Sequence, residues 1–377
     1  MAGKSGTYLT RTGVSIASWD LASRPKYDVF PPSEEASFGI YVMKTNNANQ
    51  QSLIPENELV VFQPDWFQKA IAEPAEDHFV PFNDSRLHYR HWVGPSQEAP
   101  IVALLHGDGA HARWFDFIAP LLSKDYQLIS MDLPGMGDSD WFDAYSRDMM
   151  AEAIVAMTEH AHAATPQAAK PFLIAHSFGG LIGLTAAHKY PTCLSALMIC
   201  DYHIRPDFAH EEWYADRLEA KPTRVYPSRA AAEGRFRLAP EQPCENQFIL
   251  DYIAEHSVRE IAKGANPGRG ISDEAGWTWK FDPSIYVGFV IGRDINAMFE
   301  TIEIPMAAMF GGMSHDFEKL TRREMIAHMR QCRPDVPYYD IPGARHHIML
   351  DRPHAFAGSV ATQMEVWRAQ QAKRETG

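Results

Sequence analysis

A serine between two apolar runs is the first group in this chain that offers chemistry. Ser177 lies in the stretch FLIAHSFGGLIG, where the run before it predicts a strand and the run after it predicts a helix. A residue at such a tight corner is held in a strained backbone conformation that aims its side chain over the sheet edge. The corner requires small residues two positions before and after, and these are Ala175 and Gly179. The pattern is a G-x-S-x-G nucleophile elbow with alanine in the first position, and the alternative is that Ser177 only caps the helix.

Alternating strands and helices must position this serine. Strands are predicted for RLHYRHWVG, PIVALLHG, YQLISMDLPG, PFLIAHS and LSALMICDY, and helices for RWFDFIAPLLSK, DMMAEAIVAMTEHAHA and GLIGLTAAHKY. Such alternation implies right-handed βαβ units and a mostly parallel sheet. It stops after residue 202 and resumes with PMAAMFGG, KLTRREMIAHMR, VPYYDIPGA and a last helix from Pro353. We therefore expect an α/β core of residues 78–202 and 303–377, interrupted by an insertion at 203–302.

Residues 1–77 form an extension with few periodic patterns, apart from a short helix predicted around PDWFQKAIAE. Three roles stay open for the extension: packing across the insertion, contributing to a homodimer contact, or remaining flexible. Because the run LVVFQPDWF is too apolar to stay in water, we expect the extension to be ordered against the core.

Composition excludes several classes of partner. The net charge of −13 over 377 residues disfavours binding to nucleic acid and to anionic lipid. Four cysteines without C-x-x-C spacing argue against a zinc site or a disulfide scaffold and fit a reducing compartment. The first residues lack the apolar core of a signal peptide, and no apolar run has the length of a membrane span. A cytoplasmic protein without a bound metal is expected.

Four motifs in a fixed order make the chain resemble an α/β-hydrolase. They are LLHGDGAHARW after a buried strand, MDLPGMGDSDW, the elbow at Ser177, and DIPGARHHIMLDRP. The resemblance covers residues 78–200 and 303–370. It implies an α/β-hydrolase fold, with a mostly parallel central sheet flanked by helices. It also implies a largely helical cap inserted after the sixth strand, covering the active site of an esterase-like serine hydrolase.

The resemblance also implies a base for the serine. A serine hydroxyl is a poor nucleophile until a histidine removes its proton, and an acid must orient that histidine. The family delivers nucleophile, acid and histidine in that order. His346 stands where the resemblance places the base, and its neighbour His347 is the competing choice.

The acid is the least determined member of this triad. The family's usual site follows the strand PMAAMFGG, but counting from Gly311 leads to Ser314, which is not an acid. Asp316 lies two residues further on and serves if the loop bulges. Some members of the family take the acid from the preceding strand, which here ends at Asp201. We favour Asp201 and keep Asp316 as the alternative.

The resemblance places an oxyanion hole beside the serine. Its donors are expected to be the backbone N–H groups of Phe178 and Asp108, with Gly109 next in line. A carboxylate near an oxyanion is unfavourable, so the Asp108 side chain is expected to point away, or else to position substrate or water. The remaining pocket candidates are these: His106, His176, Trp213, Trp277 and Trp279.

The function expected from these residues is hydrolysis of a carboxylic ester or lactone of a small, mainly apolar molecule, without a cofactor. Cleavage of a carbon–carbon bond in a dienoic diketone and amide hydrolysis on the same triad stay open. A non-catalytic ligand-binding member of the fold is the third reading.

Overall fold

A central sheet organises the part of the chain that this computed structural model describes, residues 62–166, 168–220, 223–265, 273–317 and 319–376. The strands of the central sheet are β1 Glu76–Phe82, β2 Ser85–Trp92, β3 Ile101–Leu105, β4 Gln127–Met131, β5 Phe172–His176, β6 Ala196–Cys200, β9 Met306–Gly311 and β10 Tyr338–Ile341. Their order across the sheet is β1-β2-β4-β3-β5-β6-β9-β10. The strand β1 is antiparallel to β2, and β2 to β4, whereas all further pairs are parallel. The mostly parallel sheet predicted from the sequence is therefore confirmed.

Helices cover both faces of this sheet. The α-helices are α1 Asp65–Ala72, α2 Arg147–Ala164, α3 Phe178–Lys189, α4 Arg229–Glu233, α5 Gln247–His256, α6 Ile295–Thr301, α7 Arg322–Cys332, α8 Ile348–Asp351 and α9 Pro353–Thr376. The residues of β3, β4, β5 and β6 are all buried, because alternate side chains enter two separate apolar cores. One core lies against α2 and α3, and the other against α9. This explains why these strands are continuous apolar runs rather than alternating patterns.

One predicted helix takes a different form. The run RWFDFIAPLLSK folds as two short 3₁₀ helices, Ala112–Phe115 and Ala119–Leu121. Pro120 within the run lacks a backbone N–H and its ring obstructs the preceding turn, so a continuous α-helix is unfavourable there. The apolar residues of the run are nevertheless in the core, since Phe115, Phe117 and Ile118 are fully buried.

The described part of the N-terminal extension contains one helix and the start of β1. The first strand begins at Glu76, two residues before the predicted start of the core. The predicted short helix is present as α1, and its Phe67 is fully buried, with its ring centroid 4.8 Å from that of Phe248. The predictions for the rest of the extension, residues 1–61, lie outside the described residues.

Residues 203–302 contain more than helices. Besides α4, α5 and α6, they form an antiparallel hairpin of β7 Val258–Ile261 and β8 Gly276–Trp279. The helix α6 packs against α3, which begins directly after Ser177. Within the described residues, none of the helices combines the length and the apolarity needed to cross a membrane.

Candidate active site

Ser177 occupies the strained corner between β5 and α3. Its backbone angles are φ 53° and ψ −123°, in the left-handed region that residues with a side chain rarely adopt. The Ser177 side chain makes no capping hydrogen bond to α3. The first turn of α3 lies close to the end of β3, and this approach depends on Gly179. A Cβ atom at Gly179 would lie 2.4 Å from the carbonyl oxygen of His106. The corner therefore presents a serine hydroxyl that does not serve as a helix cap.

His346 connects this serine to a carboxylate. Its Nε2 lies 2.8 Å from Ser177 Oγ, and its Nδ1 lies 3.1 Å from Asp201 Oδ1. Since a carboxylate accepts only, Nδ1 carries the proton facing Asp201, which leaves Nε2 to accept from the serine hydroxyl. This is the arrangement in which a histidine can remove a proton from serine.

Asp201 is held rigidly by the sheet edge. It follows β6 with a φ of 50°, and its backbone N–H donates to the carbonyl of Met309 at 2.7 Å. Its Oδ2 accepts from the backbone N–H of Gly311 at 2.7 Å, and its Oδ1 accepts from Ser314 Oγ at 2.6 Å. Burial alone would raise the pKa of Asp201, but the hydrogen bond and charge of His346 outweigh it and hold that pKa below its usual range. Asp201 is thus an ionised, buried acid.

The alternative acid, Asp316, is elsewhere. Its side chain is exposed, and Oδ1 accepts from the backbone N–H of Arg322 at 2.7 Å, at the start of α7. A carboxylate is favourable at a helix N-terminus, which accounts for its position. The geometry therefore brings Asp201, and not Asp316, to His346.

Two neighbouring histidines, His347 and His176, are buried beside the ring of His346. Burial lowers the pKa of His347 well below its usual value, and its ring packs 5.3 Å from that of Trp114. Burial likewise lowers the pKa of His176 to about 3, so that ring is neutral. Its Nε2–H donates to the carbonyl of His346 at 2.8 Å and so fixes the backbone of that residue.

In the part of the chain that the structure describes, three groups of side chains have a spacing that could hold a metal ion. In each group the candidate ligand atoms lie within 4.8 Å of one another. The groups are His176, His346 and His347; Glu76, His78 and His91; and His88, Asp132 and Asp138. The spacing of His346 and His347 in the sequence does not predict the first group, because its third member, His176, lies at the end of β5. Both ring nitrogens of His346 already face Ser177 and Asp201.

The loop after β3 lies directly against the serine. A Cβ atom at Gly107 would lie 3.0 Å from Ser177 Cβ. Within the described residues, the backbone N–H groups of Phe178 and Asp108 have no hydrogen-bond acceptor. These are the two donors predicted for an oxyanion hole, and both are available. Gly109 follows with a φ of +62°, a backbone conformation that favours glycine.

The Asp108 side chain points toward two tyrosines of the 203–302 segment. Its Oδ1 accepts a hydrogen bond from the Tyr286 hydroxyl, and its Oδ2 lies 3.5 Å from the Tyr214 hydroxyl. The two tyrosine rings stack with centroids 4.0 Å apart. Burial raises the pKa of Asp108. The tyrosines therefore restrain the side chain of Asp108, the residue whose backbone N–H is the second predicted oxyanion donor.

A second aspartate fixes the turn MDLPGMGDSDW. Asp132 follows β4, and its carboxylate accepts from the backbone of Ala112 at 2.6 Å and of Asp138 at 2.9 Å. Its Oδ2 lies 2.6 Å from His88 Nδ1. The turn requires glycine at Gly137, where a Cβ would lie 2.1 Å from Asp132 Oδ1. Asp132 therefore joins three segments beneath the loop that carries Asp108.

Ser177, His346 and Asp201 all line one cavity of about 320 Å³. Of the predicted pocket residues, Trp213 and Asp108 also line it. Further lining residues that the sequence analysis missed are Tyr202, His203, Arg205, Ile291, His315 and Phe317. The sequence could have indicated Tyr202, His203 and Arg205. They follow Asp201 at the carboxyl end of a parallel strand, which is where such sheets bind ligands.

Four predicted pocket residues are not in the cavity wall. Trp277 and Trp279 lie on β8, where the Trp277 backbone pairs with Tyr226. His106 and His176 are buried beneath the loop. His106 is held there by its ring, since Nδ1–H donates to the Gly107 carbonyl at 2.7 Å and Nε2 accepts from the Leu133 N–H at 3.2 Å. His106 and His176 therefore act on the site through the backbone groups that their rings hold.

Comparison with known proteins gives consistent matches. The sequence model described as "Alpha/beta hydrolase family" matches residues 102–359. A pimeloyl-[acyl-carrier protein] methyl ester esterase of Chromobacterium violaceum is 26% identical over 71% of this chain and 95% of its own length. A serine hydrolase-like protein of Danio rerio is 21% identical over 75% of this chain and 87% of its own length. The solved structure of E-2-(acetamidomethylene)succinate hydrolase has a TM-score of 0.60 at 20% identity, covering 78% of this chain and all of that one.

Proposed function

Because the chain belongs to the alpha/beta hydrolase family, we propose that it cleaves a carboxylic ester or lactone of a small molecule through an acyl-serine intermediate. The observation that carries the proposal is the pair of contacts through His346, 2.8 Å to Ser177 and 3.1 Å to Asp201, at the wall of one cavity. The match to an esterase over most of its length supports a hydrolase and makes an ester the first substrate class to test.

In the proposed reaction, Ser177 Oγ attacks the ester carbonyl while its proton moves to His346 Nε2. The imidazolium that forms is stabilised by Asp201. The carbonyl oxygen becomes negative and accepts from the backbone N–H groups of Phe178 and Asp108. His346 then gives its proton to the leaving alkoxide as the ester C–O bond breaks, which leaves an acyl-serine.

Water completes the proposed cycle. It enters where the alcohol departed, loses a proton to His346 Nε2 and attacks the acyl carbon. The bond to Ser177 Oγ breaks, Oγ regains the proton, and a carboxylic acid leaves. This chemistry uses only side chains, backbone N–H groups and water, so the proposed reaction needs no cofactor.

Residues 203–302 act as a cap in this proposal. They bring Arg205, Trp213, Tyr214 and Ile291 to the cavity wall that faces Ser177. The mixture of ring faces and aliphatic side chains suits a small molecule with an apolar body, since ligand sites of this size are mainly apolar with a few placed polar groups.

The proposal is tested with a matched ester and anilide, 4-nitrophenyl butyrate and 4-nitrobutyranilide. We expect turnover of the ester, with an acyl adduct on Ser177 detectable by mass spectrometry after rapid acid quenching. Ser177→Ala should lower kcat by about 10³-fold or more. Ser195→Ala is the control, because Ser195 precedes β6 at the opposite end of the parallel strands. Faster cleavage of the anilide, or an adduct elsewhere, contradicts the proposal.

A further inference from the structure

Arg205 places a guanidinium group in the wall of the cavity that holds Ser177. Its side chain is only 9% exposed, and Nη1 donates to Glu211 at 3.0 Å. Within the described residues, its Nε and Nη2 groups have no hydrogen-bond acceptor. A nearly buried guanidinium thus retains donors that its protein neighbours do not use.

Two aromatic rings hold this guanidinium in place. The Arg205 carbon Cζ lies 4.3 Å from the ring centre of Trp213 and 4.1 Å from that of Phe317. Both rings also line the cavity. Contact with ring faces fixes the plane of the fork, so little conformational entropy is lost when an anion binds to its free edge.

The charges around Arg205 leave a positive excess. The carboxylate of Glu211 is shared, because it also accepts from Trp213 Nε1 at 2.8 Å and lies 3.7 Å from Lys319 Nζ. Two cations therefore face one carboxylate among the described residues. The other acids of the cavity wall are engaged, Asp201 with His346 and Asp108 with Tyr286.

His203 adds a neutral polar group to the same wall. Burial lowers its pKa to about 4, so the ring is uncharged near neutral pH. Among the described residues, its Nε2 is buried and has no hydrogen-bond partner. Buried polar atoms in proteins are nearly always paired, so an unpaired one in a cavity wall points to a ligand group.

We propose that Arg205, with His203 beside it, binds a carboxylate of the substrate. The substrate is then an ester that carries a carboxylate remote from its scissile carbonyl, with an apolar chain between the two. The fork of arginine matches a carboxylate in shape, and Phe178, Leu181 and Ile291 line the cavity for the chain. This inference rests on the proposed function for the identity of the scissile bond, but the anion site itself does not.

Binding tests the anion site apart from catalysis. Ser177→Ala protein is titrated by calorimetry with monoethyl esters of succinic, adipic and suberic acids. Each ester is paired with its uncharged analogue, in which an amide replaces the free carboxyl group. We expect at least one acid ester to bind about 10- to 100-fold more tightly than its amide, as a charge-assisted hydrogen bond provides. Adding Arg205→Met should abolish this preference, and Arg205→Lys should retain part of it.

Arg229→Met is the matched control. Arg229 lies in the same segment, over the ring of Trp277 at 5.7 Å and 2.6 Å from Glu233, but it does not line the cavity. This control should leave the preference unchanged. If Arg205 is only a structural contact, Arg205→Met will weaken both members of a pair equally, which overturns the inference. The inference is also overturned if Ser177→Ala protein with Arg205 intact binds the acid ester and its amide equally, or binds neither.

Turnover separates this inference from the proposed function. If the protein with Ser177 intact binds the acid ester selectively but does not hydrolyse it, the anion site stands and the proposed reaction is wrong. If it hydrolyses acid ester and amide ester with the same kcat/KM, and Arg205→Met changes neither, the reaction stands and the carboxylate site is wrong.

Discussion

Ser314 Oγ donates a 2.6 Å hydrogen bond to Asp201 Oδ1, the same oxygen that lies 3.1 Å from His346 Nδ1. Counting from Gly311, Ser314 occupies the position where the family's usual acid was expected. Because β6 and β9 are neighbours in the sheet, a carboxylate at the end of β6 reaches the place that an acid after β9 would fill. The serine supports an acid that comes from the adjacent strand.

The first prediction concerns the identity of this acid. Asp201→Asn should lower kcat by about 10³- to 10⁴-fold, because the amide cannot stabilise an imidazolium and favours the wrong tautomer of His346. Asp316→Asn should change kcat less than about threefold, since Asp316 is exposed and accepts from the backbone N–H of Arg322 at the start of α7. Steady-state ester hydrolysis by the two variants measures this. The reverse order of effects would transfer the role to Asp316.

The second prediction concerns the close approach at the elbow. Gly179→Ala places a Cβ 2.4 Å from the His106 carbonyl oxygen, so either the helix or the oxyanion loop must move. We expect a loss of about 1–3 kcal/mol in the free energy of unfolding and a large fall in kcat. Gly358→Ala is the control, because nothing lies within 4 Å of its added Cβ in α9. Urea unfolding and ester hydrolysis of both variants check it, and a stable, active Gly179→Ala protein contradicts it.

The third prediction concerns the tyrosines that restrain Asp108. Tyr286→Phe removes a hydrogen bond from a carboxylate beside the proposed oxyanion hole, which should lower kcat by about tenfold. Adding Asp108→Asn removes the unfavourable charge and should restore kcat to within about threefold of the original. Tyr226→Phe, elsewhere in the same segment, is the control. If Tyr286→Phe leaves kcat unchanged, the restraint on Asp108 has no role in the reaction.

The fourth prediction concerns the pH dependence of stability. Burial alone would raise the pKa of Asp132 and lower that of His88, but their mutual hydrogen bond outweighs burial in both. The pKa of Asp132 is therefore lowered, and its contribution is lost as pH falls below about 4. The pKa of His88 is raised, and its contribution is lost as pH rises above about 6.5.

Asp132→Asn should therefore lower the free energy of unfolding most between about pH 4 and about pH 6.5, where both charges contribute. The expected loss there is on the order of 3–5 kcal/mol. Urea unfolding at about pH 3, 5.5 and 9 measures the difference from the original protein. Asp125→Asn is the control, because that side chain is 54% exposed. A deficit that stays constant with pH would mean that the pair does not contribute through its charges.

The parallel sheet, and the positions of the residues proposed for the site, could be predicted from local sequence pattern. The elbow follows from Ala175 and Gly179 around Ser177, and the βαβ alternation determined the parallel sheet. Asp201 was preferred because it directly follows an apolar strand. Each of these inferences uses residues that are close in sequence to the feature they specify.

The parts missed depend on contacts between distant segments. The place of Arg205 is set by Phe317, which is 112 residues later, so no spacing in the sequence reveals it. Trp277 and Trp279 were chosen for their aromatic type, but only the hairpin shows that they lie outside the cavity wall. The apolar spacing of RWFDFIAPLLSK predicted an α-helix after β3. Pro120 lacks the backbone N–H that such a helix needs, and the run forms 3₁₀ turns instead.

The central claim, that Ser177 is activated by His346 and Asp201, is tested most directly by a fluorophosphonate probe and intact mass. We expect the protein to gain one adduct, located on Ser177 by peptide mapping. We further expect no labelling of Ser177→Ala, strongly slowed labelling of Asp201→Asn, and unchanged labelling of Asp316→Asn. An unlabelled protein, or an adduct that persists in Ser177→Ala, would contradict it.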